Sequence, residues 1–321
     1  MTISAKVIAD SISPQGIRIT TFELEYPRFI HSEFMTHRLF SRNAASSRAI
    51  PVDKAIQLIL DDTAAPIHWG KNQPGMSAKE EHDAPVQLTT GFEFGNTRRG
   101  AWEWARDMAI QAARAFSKAG YHKQIVNRLL EPFTHIKVVV TATDYDNFFW
   151  LRKHPDAQPE IQRLAEMMWD ALQSSTAVLL QPGDWHVPYY RNGQWRDSGY
   201  VEFKGDSEPE AVDDKRGGNT LAEALAISSS CCAQVSYRRL DDSLEKALDI
   251  FKRLVESKPV HASPFEHQAT PIRDHSGKEF AWDSGVTHQD RDGQLWSGNL
   301  RGWVQHRQLI PENVCMEYKD V

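Results

Sequence analysis

Between Phe34 and Pro51 the chain reads FMTHRLFSRNAASSRAIP, which sets a histidine, three arginines, three serines and an asparagine among apolar neighbours. Arg38, Arg42 and Arg48 bring planar guanidinium groups that grip a carboxylate or phosphate through paired N–H donors, a geometry lysine does not offer. The chemistry implied is anion binding, with serine hydroxyls as short-range partners. A solvated arginine-rich surface is the plain alternative. Elsewhere Arg128 and Arg152 stand in helical segments, where they serve either as anion ligands or as surface residues whose stems cover apolar neighbours. His261 and His267 lie in HASPFEH, but no HExxH and no cluster of Cys and His accompanies them, so a metal site is not expected.

Composition narrows the partners. A net charge of −6 argues against extended nucleic-acid binding, which needs clustered Lys and Arg to neutralise many phosphates, yet a small phosphorylated ligand needs only a few local arginines. No run approaches the ~18 to 20 apolar residues of a bilayer span, and MTISAKVIADSIS lacks the basic start and apolar core of a secretion signal. No membrane association and a cytoplasmic location are therefore expected. Cys231 and Cys232 are adjacent and Cys315 is distant, a spacing that gives neither a disulfide framework nor paired zinc ligands.

The elements that must position these residues are legible in part. KVIADSI and GIRITTFELEY read as strands, the second closed by Pro27. FIHSEFMTHR reads as a helix whose Ile30, Phe34, His37 and Arg38 share one face, delivering His37 and Arg38 to its end. Pro51 opens a helix over VDKAIQLILDD. Residues 64–99, rich in Gly, Pro, Asn and charge, read as a long loop. AWEWARDMAIQAARAFSKAG reads as an amphipathic helix burying Ala101, Ala105, Met108, Ala112 and Phe116 and stopped by Gly120. HKQIVNRLLEP is a second helical run, IKVVVTAT is strand-like but short, and Thr143 is a candidate cap for DYDNFFWLRK. PEIQRLAEMMWDAL carries a clear stripe of Ile161, Leu164, Ala165, Met168 and Leu172. Residues 181–219, rich in Pro, Gly, Asp and Trp, read as an excursion between two halves or as a domain linker. SLEKALDIFKRLV then reads as a helix burying Leu244, Ala247, Leu248, Phe251 and Leu254, EFAWDSGVTHQDRDGQLW as a hairpin-like excursion, and GNLRGWVQHRQLIPEN as a helix ending near Pro311. No tandem repeat is evident.

His37-Arg38, seven residues, then Ser46-Ser47-Arg48 resembles the RHR-x7-S-x-R signature of the flavin-dependent thymidylate synthases, the ThyX family. Ser41 and Asn43 fall where that motif also carries Ser and Asn. QIVNRLLEP resembles the family segment with a phosphate-binding arginine, here Arg128. NFFWLRKHPDAQPEIQRLAEMM resembles the segment whose arginine, here Arg152, faces the pyrimidine. CAQVSYRRLDDSLEKALDIFKRLVESKPVHASPFEH resembles the family's N-terminal region, whose final histidine, here His267, meets the flavin. That last segment follows the signature here, whereas in typical members it precedes it. The sequence departs from the pattern at Thr36 (arginine in the motif), Ala44 (glutamate), Ala49 (aromatic) and Glu33 (often glutamine).

The resemblance implies an α+β fold: a ThyX-like core of antiparallel sheet with packed helices, formed by residues 1–321 as one domain in rearranged, circularly permuted-like order. Long insertions fall near 64–99, 181–219 and 272–297. It implies reductive methylation of dUMP to dTMP with FAD as cofactor and methylenetetrahydrofolate and NADPH as co-substrates, in a homotetramer whose sites are assembled across subunits. Carried over by residue, Ser46, Arg48, Arg128, Arg152 and Glu33 bind the nucleotide, Arg152 stabilises charge on the pyrimidine as the catalytic group, and His37, Arg38, Ser41, Asn43 and His267 contact flavin. Two alternatives stand beside this: hydroxymethylation of dUMP or dCMP, and a non-catalytic nucleotide-binding protein.

Overall fold

The two β-branched runs near the start become β1 (Ser4–Ile12) and β2 (Arg18–Pro27), paired antiparallel and joined by a turn in which Gly16 adopts φ 78°. They enter a five-stranded sheet with β3 (Ser41–Ala44), β4 (His135–Ala142) and β5 (Val178–Leu179) in the order β3-β4-β2-β1-β5. All pairings are antiparallel except β1 with β5. The computed structural model describes residues 2–90, 93, 95–196, 200–202, 210–212, 219–236, 241–273 and 282–318. Its helices are α1 (His31–Phe34), α2 (Val52–Asp61), α3 (Arg98–Lys118), α4 (Lys123–Val126), α5 (Asp146–Arg152), α6 (Pro159–Gln173), α7 (Leu221–Ala233) and α8 (Leu244–Glu256). The fold is α+β, as the sequence implied.

Alternation along β2 and β4 gives the sheet two different faces. Phe22, Leu24 and Tyr26, with Ile136, Val138 and Val140, turn to one side and pack against Phe148 and Phe149 of α5 and Ile161, Leu164 and Met168 of α6. Each such side chain contributes about 1.5–3 kcal/mol through burial, so this layer holds α5 and its terminal Arg152 in place. Thr21 and Thr141, opposite each other in the register, turn to the other side. There they meet a small second sheet of Trp303–Gln305, Ala269–Pro271, Trp185–His186 and Gln194–Trp195, backed by α7.

Several elements differ from the sequence reading. The helix expected over residues 29–38 stops at Phe34: the Phe34 and His37 carbonyls both accept from Arg42 Nη1 (3.2 and 3.0 Å), and Thr36 Oγ1 donates to the Glu33 carbonyl (2.7 Å). His37 and Arg38 therefore lie on a turn, not on a helical face. Thr143 does not cap α5; its hydroxyl accepts from the Arg301 main-chain N–H (3.0 Å) and donates to Asp144 (2.7 Å). GNLRGWVQHR is not a helix but two short strands, Leu300–Arg301 and Trp303–Gln305, with Gly302 at φ 71° between them. In α3 the buried residues are Gly100, Ile110 and Ala113, while Met108 and Phe116 are exposed; in α8 only Ala247 is buried and Leu248 is exposed. Residues 64–90 carry bends and a bridge between Gly70 and Glu81, and fasten to α6 where Glu160 accepts from the Ile67 N–H (2.7 Å). The hairpin-like excursion is seen as paired strands His288–Gln289 and Leu295–Ser297, while residues 274–281 lie outside the described residues.

Candidate active site

Three groups of side chains gather the residues singled out in the sequence. The first is built on Arg152, which closes α5 just beyond the aromatic layer. Its Nε donates to His37 Nε2 (3.0 Å), its Nη1 lies 3.5 Å from the Glu33 carboxylate, and its Nη2 donates to Thr36 Oγ1 (3.4 Å). His37 is wedged edge-on against Phe148, with centroids 4.8 Å apart, and lies against Phe40. Burial, reinforced by the Arg152 and Arg42 guanidinium charges, pushes His37 down to about 4. A neutral ring that accepts at Nε2 carries its proton on Nδ1. Arg152 is thus aimed by three acceptors, Glu33 of α1 and Thr36 and His37 on the turn that follows it. Arg38 follows on that turn and is exposed.

The second group is an outward-facing depression lined by Arg48, Arg128, Phe116, Gln124, Ile125 and Leu129. Ser46 caps the short 3-10 turn Ser47–Ala49 by accepting from the Arg48 N–H (3.3 Å), and the Arg48 side chain returns toward the same hydroxyl (3.5 Å). Arg128 pairs with Glu131 (3.2 Å), which also accepts from Ser47 Oγ (2.7 Å). Arg48 beside the Ser46 hydroxyl, with Arg128 lining the same depression, forms a donor set suited to a phosphate.

The third group is built around side chains closed to solvent. Ser41 is fully buried; its hydroxyl donates to Asn299 Oδ1 (3.1 Å) and accepts from Gln305 Nε2 (3.2 Å). Asn299 also donates to the Leu39 carbonyl (2.9 Å), and Arg301 pairs with Asp144 (2.7 Å), so the C-terminal strands clasp the turn that carries His37 and Arg38. His267 is fully buried as well. A line of hydrogen bonds runs from Ser11 Oγ to His186 Nδ1 (2.9 Å), from His186 Nε2 to Thr21 Oγ1 (2.8 Å), on to Thr141 Oγ1 (2.7 Å) and to His267 Nδ1 (2.8 Å). His267 Nε2 then lies 3.4 Å from the Asn43 amide. That amide satisfies its surroundings with its nitrogen turned to the carbonyls of Ser263 (3.2 Å) and Arg42 (3.1 Å). Burial pushes both His186 and His267 down to about 3, with His186 adding to the effect on His267.

Sequence reasoning missed Thr141, His186, Asn299, Gln305 and the clasp by Arg301. None belongs to a spacing motif; the one signal was Asn-Leu-Arg in GNLRGWVQHR, which by itself gives no partner. Cys231 and Cys232 are buried free thiols, and burial pushes Cys231 up to about 12, which leaves it protonated and unreactive near neutrality. Among the described residues no three His, Cys, Asp or Glu side chains converge as metal ligands would, and no helix is long and apolar enough to cross a membrane.

The solved structures of a UMP/dUMP methylase, PolB from Streptomyces cacaoi, bound with 5-Br UMP and with 5-Br dUMP, are each 17% identical to the chain. Their TM-scores are 0.42 and 0.40; they align over 56% of this chain and over 90% and 91% of their own. No curated protein matches the chain. The sequence model of one family, Thy1, described as thymidylate synthase complementing protein, matches residues 12–176, just over half of the sequence and the stretch that contributes Arg152, His37, Arg48 and Arg128. The chain belongs to the thymidylate synthase complementing protein family.

Proposed function

We propose that this protein is a flavin-dependent thymidylate synthase that converts dUMP to dTMP with methylenetetrahydrofolate as carbon donor and NADPH as reductant. The observation that carries this reading is the fixed aim of Arg152, whose guanidinium is held by His37, Glu33 and Thr36 at the end of α5. A preorganised cation stabilises charge spreading onto a pyrimidine as its C5 becomes nucleophilic, without reorganising at the moment of reaction. Arg48, Arg128 and Ser46 bind the 5′-phosphate. In the proposed homotetramer this donor set and the Arg152 group meet across subunits.

The chemistry that FAD supplies when bound is delivery of hydride from NADPH to the transferred one-carbon unit. The donor set at the Arg152 edge fits such a group: Arg38 is exposed beside the Arg42 and Arg152 charges, and offers N–H donors to a pyrophosphate. Ser41, Asn43 and His267 hold that edge from behind, since Ser41 and His267 have no exposed surface. Residues 1–321 are read as one catalytic unit in rearranged order. Its support is that His267, from the segment displaced in sequence, reaches Thr141 and Asn43 in the family-matched region.

A second reading is favoured by Glu33. A carboxylate beside Arg152 is an acceptor only, where glutamine would also donate, and it complements the amino group of cytosine. That reading is hydroxymethylation, in which water captures the one-carbon unit and no net reductant is used.

Product mass decides between them. After incubation with FAD, NADPH, methylenetetrahydrofolate and dUMP or dCMP, a methyl gain on dUMP that requires NADPH is expected. A hydroxymethyl gain without NADPH consumption transfers the assignment to the second reading, and no gain on either base leaves nucleotide binding without catalysis. The phosphate assignment is checked separately by calorimetry. Arg48→Ala and Arg128→Ala are each expected to weaken dUMP binding by about tenfold or more; unchanged affinity in both sinks it.

A further inference from the structure

The turn that carries Arg48 is too small to place itself. Ser47–Ala49 closes through the Ala49 N–H, which donates to the Ser46 carbonyl (3.1 Å), and it buries no side chain. A single turn of this kind is marginal by itself and takes its orientation from what it is fastened to. The segment that carries Arg128 is the opposite case. Val126 and Leu130, both fully buried, pin it into a core shared with Ile56 and Ile59 of α2 and Ile110 and Ala113 of α3.

Asn127 joins the two. It is 3% exposed, it precedes Arg128 in the chain, and its Nδ2 donates to the Ser47 carbonyl (2.7 Å) and to the Ile50 carbonyl (2.9 Å). These two carbonyls bracket Arg48 and Ala49. Lys123 Nζ donates to a third, that of Ala49 (3.1 Å), and Glu131 accepts from Ser47 Oγ (2.7 Å). Lys123 and Glu131 each reach the turn by one bond from a half-buried side chain, whereas Asn127 makes two from a buried one. Asn127 Oδ1 has no protein partner, so the amide works here as a pair of donors. A leucine in its place would leave both carbonyls without these donors.

Arg48 and Arg128 line one depression, and the anchored segment fixes the turn through the residue next to Arg128. We propose that Asn127 is a positioning residue for the phosphate subsite, holding the Arg48 turn so that both guanidinium groups stand ready for one phosphate before the ligand arrives. Asn127 itself touches no ligand. The proposal rests on the assignment of Arg48 and Arg128 to the nucleotide phosphate.

A double-mutant cycle on dUMP binding to the full chain, followed by calorimetry, tests it. Asn127→Leu, which keeps the branched shape and removes both donors, is expected to weaken dUMP by about tenfold, close to the loss of one phosphate arginine. In an Arg48→Ala background the same substitution is expected to cost less than about twofold, because the arginine it positions is already gone. A general loosening of the fold would cost as much in both backgrounds. Should Asn127→Leu fail to fold, Asn127→Ser is read by the same cycle, with an expected loss of about threefold, since its one hydroxyl serves one carbonyl. Unchanged affinity in the Asn127 variant while the arginine variants bind more weakly overturns the positioning role alone. An equal loss in both backgrounds overturns it too, leaving Asn127 a part of the fold and nothing more. Unchanged affinity in Arg48→Ala and Arg128→Ala overturns the phosphate assignment itself, and the positioning role falls with it.

Discussion

Arg152→Ala is expected to lower kcat/KM for methyl transfer to dUMP by about 10²–10³-fold, the usual cost of removing one preorganised donor from a site of developing charge. The loss should exceed that of either phosphate arginine, because Arg152 acts on the ring that changes charge and the phosphate contacts act equally before and during the reaction. Arg152→Lys should recover little. Lysine keeps the charge, but it cannot reach His37, Glu33 and Thr36 at once from a planar fork. The fold should tolerate both changes, since Arg152 ends a helix whose anchor is Phe148 and Phe149, both of which remain. Initial rates by NADPH oxidation and product formation, alongside far-UV circular dichroism, measure this. A value within about threefold of the unsubstituted enzyme would remove Arg152 from the catalytic role.

Stability is expected to fall steeply as pH drops below about 6.5, where an unfolded histidine begins to bind its proton. His186 and His267 are held at about 3 in the folded state by burial, so between about 6.5 and 3 the unfolded chain binds protons that the folded chain refuses. Their contribution is therefore fully present above 6.5 and is lost progressively in acid. Each such group removes about 1.4 kcal/mol per pH unit within the window. Both rings pack on the face of the sheet that carries Thr21 and Thr141, so protonating either buries a charge, which the Asp10 carboxylate offsets only in part at His186. Urea unfolding at pH 7.5, 6.5, 5.5 and 5.0 reads the slope, and a midpoint unchanged from pH 7 to pH 5 would contradict it.

What the sequence disclosed follows what each residue pattern can encode. β1 and β2 were legible because β-branched residues were bounded by a turn and a proline, and α6 because Pro159 preceded a regular stripe that is buried much as expected. The short α1 was overextended because Ile30, Phe34 and His37 fit a helical face equally well as a single turn followed by a reversal. The deciding contact comes from Arg42, beyond the window where periodicity is read. α7 escaped notice because Ala224 through Cys232 are buried all round, which leaves no polar face to reveal a period. The Arg152 group was legible from the resemblance alone. His186 was not, because its meaning lies entirely in partners 175 and 165 residues away in the chain.

The hydrogen-bond line from Ser11 to Asn43 has a further property. It contains two neutral imidazoles and three hydroxyls, each with one proton to give, and each link joins groups able to exchange roles. The links have to run in one common direction. With the Asn43 nitrogen toward His267, the bare Nε2 accepts, Nδ1–H donates to Thr141, and the direction continues through Thr21 and His186 to end on Ser11 as acceptor. With the Asn43 oxygen in that place, the oxygen would face the Ser263 and Arg42 carbonyls. No link reverses alone without leaving two donors or two acceptors facing each other in the core. The buried row is therefore a one-way chain written in tautomers, read at one end by a serine hydroxyl and fixed at the other by the orientation of a single amide.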